Sequence, residues 1–353
     1  MNSLLVINKS KKILVVTGAY PPEIGGEATY AKLLKEELPN QSGDKVRAII
    51  LNSSRLRLVF KPWRWLSVFV RTLYLGRYCD VVYALNLKDS FPASRAARLL
   101  KKPFWLKLSA EDVWPMTLVS GDKGGLQIPR NLGRLIVPSE EIALQIRELG
   151  GKDKQVCVIP NAFTAPMDLD THDRIRQKWG VKGQVVLTAG RFIKRKNFQT
   201  LVKAVPAVLV KYPDAKILIA GDGPERPTLE KLIDSLNLAD SVMLTGILSR
   251  ETLFVYLRLA DVFVSPSLYE VGSPSLLEAK TLGTPIVATL VGDNKNLLDG
   301  YAFTTLVPDF DSDTLASAII KSLGSEKRKI TVDTNDDPAG EMAIELIRLL
   351  LNN

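Results

Sequence analysis

The chain has 353 residues, 46% of them hydrophobic and 24% charged, which is enough for two folded domains and too apolar for a disordered chain. No apolar run approaches the roughly 18–20 residues that a bilayer span needs, and residues 1–11 lack the apolar stretch and cleavage site of a secretory leader. The formal charge is +9, Cys79 and Cys157 lie far apart, and His172 is the only histidine; this excludes a His-rich metal site and points to a reduced, cytoplasmic setting.

Apolar strands alternate with helical patterns from the start. Residues 12–17 (Lys-Ile-Leu-Val-Val-Thr) read as a buried strand, followed by a glycine turn at Gly25-Gly26 and a helix over 28–38. Further strands are expected at 46–51, 80–84, 104–108, 135–137 and 156–159, then at 185–189, 216–220, 242–245, 261–264 and 285–288. Such alternation implies parallel sheets covered on both faces, and two runs of it imply two Rossmann-like units. The boundary is placed in the turn-rich stretch after Pro160-Asn161, giving domains of 1–165 and 166–339. Residues 325–337 read as a connector, and 340–351 return to helix with Ile344, Ile347 and Leu351 on one stripe.

The charge is unevenly placed. Residues 1–168 hold 25 basic and 15 acidic side chains, whereas the remainder is close to neutral. The densest basic part is 55–71, where Arg55, Arg57, Lys61, Arg64 and Arg71 interleave with Phe60, Trp63, Trp65 and Phe69. This suits an anionic membrane surface, where cations attract and aromatics insert shallowly. The same residues also read as an amphipathic helix over 65–78, packed beneath the 80–84 strand. Nucleic acid is disfavoured, because no binding motif accompanies the charge.

The most informative stretch is Leu268-Tyr-Glu-Val-Gly-Ser-Pro-Ser-Leu-Leu-Glu278. A buried strand ends at Ser265-Pro266, and Ser273 is placed to cap a helix whose first residue is Pro274, where a missing N–H costs nothing. Glu270 then lies in the loop and Glu278 inside the helix, flanking a helix start with free amides and a positive dipole end. An anion fits on the amides while neighbouring hydroxyls donate to the carboxylates. In isolation the pair also reads as one loop and one surface glutamate. Asp309-Phe-Asp-Ser-Asp313 looks metal-like, but Asp311 or Asp313 is as well suited to cap the next helix.

Company decides the reading. The series Ala189-Gly-Arg191, Lys196-Asn197, Ile219-Ala-Gly-Asp-Gly-Pro-Glu225, Leu244-Thr-Gly246, Glu270, Glu278-Ala279 and Gly283-Thr-Pro-Ile-Val-Ala288 resembles the donor half of family-4 retaining glycosyltransferases. Tyr20-Pro-Pro-Glu-Ile-Gly-Gly26 and Ile159-Pro-Asn161 extend the likeness over most of the chain. The resemblance implies an α/β GT-B fold, two Rossmann-like domains facing each other across a cleft, with the last helix returning to the first. It implies a nucleoside-diphosphate sugar as donor, no metal or other cofactor, and a hydroxyl acceptor; the basic charge of the first domain suggests that this acceptor is a glycan or lipid-linked hydroxyl at or near a membrane.

By that resemblance Arg191 and Lys196 clamp the two phosphates, while Lys194 and Arg195 match nothing. Gly25-Gly26 and the backbone of Gly272, Ser273, Pro274, Ser275 and Leu276 approach phosphate or sugar. Glu278 accepts from ribose hydroxyls, and Glu270 contacts the transferred sugar. Gly221-Asp-Gly-Pro224 is taken as a structural turn. The loop reads Glu-Val-Gly-Ser where the family commonly has Glu-Gly-Phe-Gly, a departure that bears on sugar preference. The family's histidine at the end of the 104–108 strand is missing; Ser109, Glu111 and Asp112 stand there, and Asp112 is the chosen candidate to hold the sugar or the acceptor hydroxyl. Rival readings are a nucleotide-sugar epimerase of the same fold and a degenerate nucleotide-sugar-binding partner protein.

Overall fold

The computed structural model describes residues 9–21, 23, 26–54, 61–108, 134–148, 156–162, 177, 180–270, 272–325 and 338–351; Gly25, Arg55, Arg57, Asp112 and His172 lie outside them. The chain divides into two units, Met1–Thr164 with Asp336–Asn353, and Ala165–Asn335.

The first unit is built on strands β1 (Lys11–Thr17), β2 (Val46–Asn52), β3 (Val81–Ala84), β4 (Phe104–Lys107), β5 (Arg134–Val137) and β6 (Val156–Val158). They pair in parallel in the order β2-β1-β3-β4-β5-β6. Its helices are α1 (Gly26–Ser42), α2 (Lys61–Gly76), α3 (Leu87–Leu99) and α4 (Glu140–Glu148). The second unit holds β7 (Val185–Ala189), β8 (Lys216–Ala220), β9 (Val242–Gly246), β10 (Val262–Ser265), β11 (Ile286–Thr289) and β12 (Thr304–Val307), all parallel, in the order β12-β11-β10-β7-β8-β9. Helices α5 (Phe198–Lys211), α6 (Arg226–Ser235), α7 (Arg250–Leu259), α8 (Pro274–Thr281), α9 (Asn294–Leu297) and α10 (Ser312–Leu323) surround it. A final helix, α11 (Pro338–Leu351), belongs to the first unit.

The strands form where the sequence places apolar runs, because a strand covered on both faces needs no polar alternation. Ile13–Val16 and Val185–Leu187 are accordingly almost completely buried. Strand β12 is absent from the sequence reading: Thr304-Thr-Leu-Val sits at a sheet edge and is only half-buried, so it lacks the apolar signature. The buried stripe of α11 also differs from the expected one. Ala339, Met342, Ala343, Leu346, Ile347 and Leu350 enter the cluster around Ile13, Tyr30 and Leu34, with Leu351 at its rim and Ile344 only half-buried. Asp311 resolves the acidic run at 309–313 by capping α10, accepting from the amides of Asp313 at 3.0 Å and Thr314 at 2.8 Å.

Each sheet has one point where chain order reverses between neighbouring strands. In parallel α/β sheets the loops leaving the carboxyl ends there splay apart and leave a crevice for ligand. In the second unit the reversal lies between β7 and β10, and in the first between β1 and β3.

Candidate active site

Because β7 and β10 are paired neighbours, the loop after β7 meets the loop after β10 although they are some 75 residues apart in sequence. The first loop carries Arg191 and a 3-10 turn, Lys194–Lys196, that closes on Asn197 with a left-handed φ of 51°. Asn tolerates that conformation better than most residues, through its short polar side chain. The turn points its cations in different directions. Arg191 and Lys194 are exposed; Arg195 is 8% exposed and Lys196 half-buried.

Glu270 is the charged centre of the site. Its side chain is 2% exposed and takes an ion pair from Lys196, a second from Arg195 at 3.4 Å, and a hydrogen bond from the Ser267 hydroxyl at 2.7 Å. Arg195 also donates to the Tyr269 carbonyl at 2.9 Å, and its own carbonyl accepts from the Leu268 amide at 2.8 Å. Burial pushes the Glu270 carboxyl up, but Lys196 and Arg195, with the two side-chain hydrogen bonds, outweigh it and hold the group below its ordinary range. A charged carboxylate is thus fixed at the mouth of β10. Gly292 supports it from behind at φ 50°, where an added Cβ would fall 1.8 Å from the Glu270 carbonyl oxygen. No side chain fits there.

Gly272, with φ 54°, turns the chain into α8, and Ser273 and Pro274 occupy the positions expected of them at its start. Ser273 does not cap the helix with its side chain, however; its hydroxyl lies 3.3 Å from that of Ser275. The opening amides of α8 are therefore not covered by a capping side chain, which suits an anion at this end. One helical turn further in, Glu278 is not a surface residue. It is 6% exposed and 3.3 Å from the Arg250 guanidinium. Burial pushes its carboxyl up to about 7, with Arg250 pulling the other way. Arg250 follows Ser249, which caps α7 by accepting from the Thr252 amide at 3.2 Å.

The loop after β8 behaves as a structural turn. An added Cβ at Gly221 would meet the Gly190 carbonyl oxygen at 1.9 Å, and one at Gly223 the Phe192 carbonyl oxygen at 2.5 Å. The Phe192 amide donates to the Asp222 carbonyl at 2.9 Å, so these glycines let the turn brace the loop that bears Arg191.

Residues 171–335 match the model of glycosyl transferases group 1. The second unit is thus similar to that family over just under half of the chain. Among curated relatives, Alpha-D-kanosaminyltransferase of Streptomyces kanamyceticus is 31% identical over 175 residues, which is 48% of this chain and 45% of that protein. An uncharacterized glycosyltransferase of Methanocaldococcus jannaschii is 27% identical over 318 residues, 80% of this chain and 81% of that one. The chain thus spans less than half of the first relative and four-fifths of the second. Among solved structures, Anabaena HepE in complex with UDP-glucose superposes with a TM-score of 0.71 at 20% identity, covering 96% of this chain and 94% of that one. The fold is GT-B, with two Rossmann-like units.

In the first unit, the strand-order reversal carries a second polar cluster. Glu27, in the first turn of α1, accepts from the Gly18 amide at 2.6 Å, the Thr17 hydroxyl at 2.9 Å and the Asn86 amide group at 2.8 Å. It ties the carboxyl end of β1 to that of β3, just after Gly26. Burial raises its carboxyl above the ordinary value despite those hydrogen bonds. Gly25 and Asp112 fall outside the described residues, as do Ser109 and Glu111.

The sequence reading missed Arg195, Arg250 and Glu27. Arg195 sits within a run of three cations that has no periodicity, and Arg250 on an ordinary charged helix start. Only the glutamate of the Gly25-Gly26-Glu27 turn carried a local signal, the first-turn acid expected at a helix N-terminus. Among the described residues no group of three His, Cys, Asp or Glu side chains is arranged to hold a metal ion.

Proposed function

We propose that the protein moves a hexose-type sugar from a nucleoside diphosphate to a hydroxyl of a glycan or lipid-linked acceptor, with retention of anomeric configuration. The observation that carries the reading is Glu270, buried yet held charged by Lys196 and Arg195 just ahead of α8, a helix whose N-cap Ser273 makes no side-chain capping bond. Arg191 and Lys196 neutralise the diphosphate, Arg through its planar fork and Lys as a point charge. The backbone of Gly272, Ser273, Ser275 and Leu276 adds partial positive charge, and Glu278 accepts from the ribose hydroxyls. Glu270 orients the transferred sugar. When the diphosphate draws Lys196 towards itself, Arg195 stays to keep Glu270 ionised.

The reaction is front-face displacement. The acceptor oxygen bonds to the anomeric carbon as the bond to the diphosphate breaks, and a departing phosphate oxygen takes the acceptor's proton. The protein contributes positioning and charge stabilisation, which needs no metal if cations and amides balance the leaving group. The UDP-glucose bound by HepE supports a nucleotide sugar as donor. The first unit is assigned the acceptor side, with Asp112 holding the sugar or the acceptor hydroxyl, while Gly25-Gly26 approach the donor's diphosphate. Its basic charge supports work at the inner face of an anionic membrane, with the protein cytoplasmic and peripheral.

A thermal-shift screen of UDP-, GDP-, ADP- and dTDP-sugars tests the donor, since a ligand bound only by the folded state raises its apparent stability. One nucleotide class should shift the melt, and Glu278→Ala should abolish the shift. No shift with any of the four sinks the reading. Incubation with donor alone distinguishes an epimerase, which would change the sugar without an acceptor. A nucleotide sugar that shifts the melt but is turned over by neither wild type nor Glu270→Ala would favour a non-catalytic binding protein.

A further inference from the structure

Helix α2 buries only a narrow side, with Val68, Thr72 and Gly76 against the sheet. Its opposite side exposes Trp63 (64%), Leu66, Val70 and Tyr74 (61%), and just beyond the helix Tyr78. Their spacing of three, four and four residues is that of a single helical face. Tyr74 and Tyr78 meet edge-on with centroids 6.1 Å apart. The neighbouring helix α3 adds exposed Phe91 and Leu99, and its Arg95 lies over the Trp65 ring at 5.2 Å, joining the two helices. Water-soluble proteins seldom expose aromatics and aliphatics in one continuous row.

The charge on this pair of helices is equally one-sided. Residues 61–102, which take in both helices, the strand between them and the turns at their ends, contain nine basic and two acidic side chains. Both acids are already neutralised within the unit: Asp89 by Arg64 at 2.9 Å and Asp80 by Lys11 at 3.2 Å. Arg64 is therefore a structural cation and not part of the outward set, contrary to its reading from sequence. Exposed Arg71, which also donates to the Asn52 carbonyl at 3.3 Å, lies on α2 and exposed Arg77 just past its end, while Arg95 and Arg98 stand on α3.

We propose that the exposed face of α2, continued on α3, docks on an anionic lipid surface, with Trp63, Leu66, Val70 and Tyr74 inserted among the headgroups and the arginines on their phosphates. An apolar row bordered by exposed cations complements a surface that offers acyl chain just beneath fixed negative charge. A second copy of this chain would bring like charges together, and a nucleic acid would offer nothing to the apolar row. The inference deepens the acceptor side of the proposed function and rests on it for its purpose. Docking itself requires neither the nucleotide sugar nor the second unit.

Co-sedimentation with vesicles of phosphatidylcholine mixed with phosphatidylglycerol, against phosphatidylcholine alone, tests it, with tryptophan emission as a second readout. Binding should need the anionic lipid, weaken at high salt, and shift emission to the blue. The double variant Trp63→Ser/Tyr74→Ser should lose the binding while keeping the wild-type melting temperature and any nucleotide-induced shift. Arg77→Gln/Arg98→Gln should weaken it by roughly 25-fold, at about fivefold per surface cation. Wild-type binding by the Trp63→Ser/Tyr74→Ser variant, or equal binding to neutral vesicles, overturns the proposal. So does failure to bind vesicles accompanied by a dimer that these substitutions dissociate, since the face would then be a copy-to-copy contact. Vesicle binding without any nucleotide shift would leave docking standing and remove only the donor reading.

Discussion

Replacing Glu278 by Gln separates burial from pairing at the proposed ribose contact. The side chain is 6% exposed, and its carboxyl is raised from 4.5 to about 7 by burial, against the pull of Arg250. A carboxyl raised on folding keeps its proton in the folded chain after the unfolded chain has released it. Wild-type stability is therefore highest below pH 4.5 as far as this group is concerned, and falls as pH rises to about 7. At about 1.4 kcal/mol per pH unit the fall amounts to about 3 kcal/mol. Gln has the same shape and does not titrate. Urea unfolding of both proteins across that window should thus show Glu278→Gln gaining about 3 kcal/mol on the wild type between the two ends. In parallel, the affinity of wild type for its nucleotide should rise with pH through about 7, because ribose hydroxyls need the ionised carboxylate as acceptor; the Gln variant should lack that rise. A stability difference that stays flat with pH would refute the burial argument. One of opposite slope would mean that the Arg250 pair at 3.3 Å outweighs desolvation.

Gly292→Ala should lower the melting temperature and turnover together, since its Cβ would sit 1.8 Å from the Glu270 carbonyl oxygen and overpacking of this kind costs about 1–3 kcal/mol; a wild-type melt would show that the loop yields freely. Arg195→Met leaves the Tyr269 carbonyl and one side of Glu270 without their donor, so a loss of about 3 kcal/mol by chemical denaturation is expected, with kcat reduced more than KM; unchanged stability and kcat would show that Lys196 alone holds Glu270. Lys196→Met should weaken nucleotide-sugar binding by about 10- to 100-fold in calorimetry, the worth of a charge-assisted hydrogen bond, and an unchanged affinity would remove Lys196 from the phosphate site.

Much of the architecture was legible because it rests on local composition. Apolar runs such as Lys-Ile-Leu-Val-Val-Thr at β1 and Val-Val-Leu-Thr-Ala at β7 read as strands covered on both sides. The Ser-Pro start of α8 was readable from backbone chemistry alone, although the Ser273 hydroxyl turned to Ser275 instead of capping the helix. The half-exposed edge strand β12 was not readable, because Thr-Thr-Leu-Val at a sheet edge needs no apolar run. The basic and aromatic segment 55–71, of which residues 61–71 are described, shows the same limit. Composition marked the segment, but it took the Arg64–Asp89 pair to show which cation turns inward and the exposed row from Trp63 to Tyr74 to show what turns outward.

By itself the sequence determined that strands and helices alternate in two runs, and that two glutamates flank a helix start, since spacing and propensity act over a few residues. Only the tertiary structure decided that β7 lies against β10. That single adjacency brings Arg195 and Lys196 onto Glu270 across some 75 residues, turning one cation of three into the core. Which charges end up buried depends on partners brought from elsewhere in the chain, because an ion leaves water only where another charge compensates it.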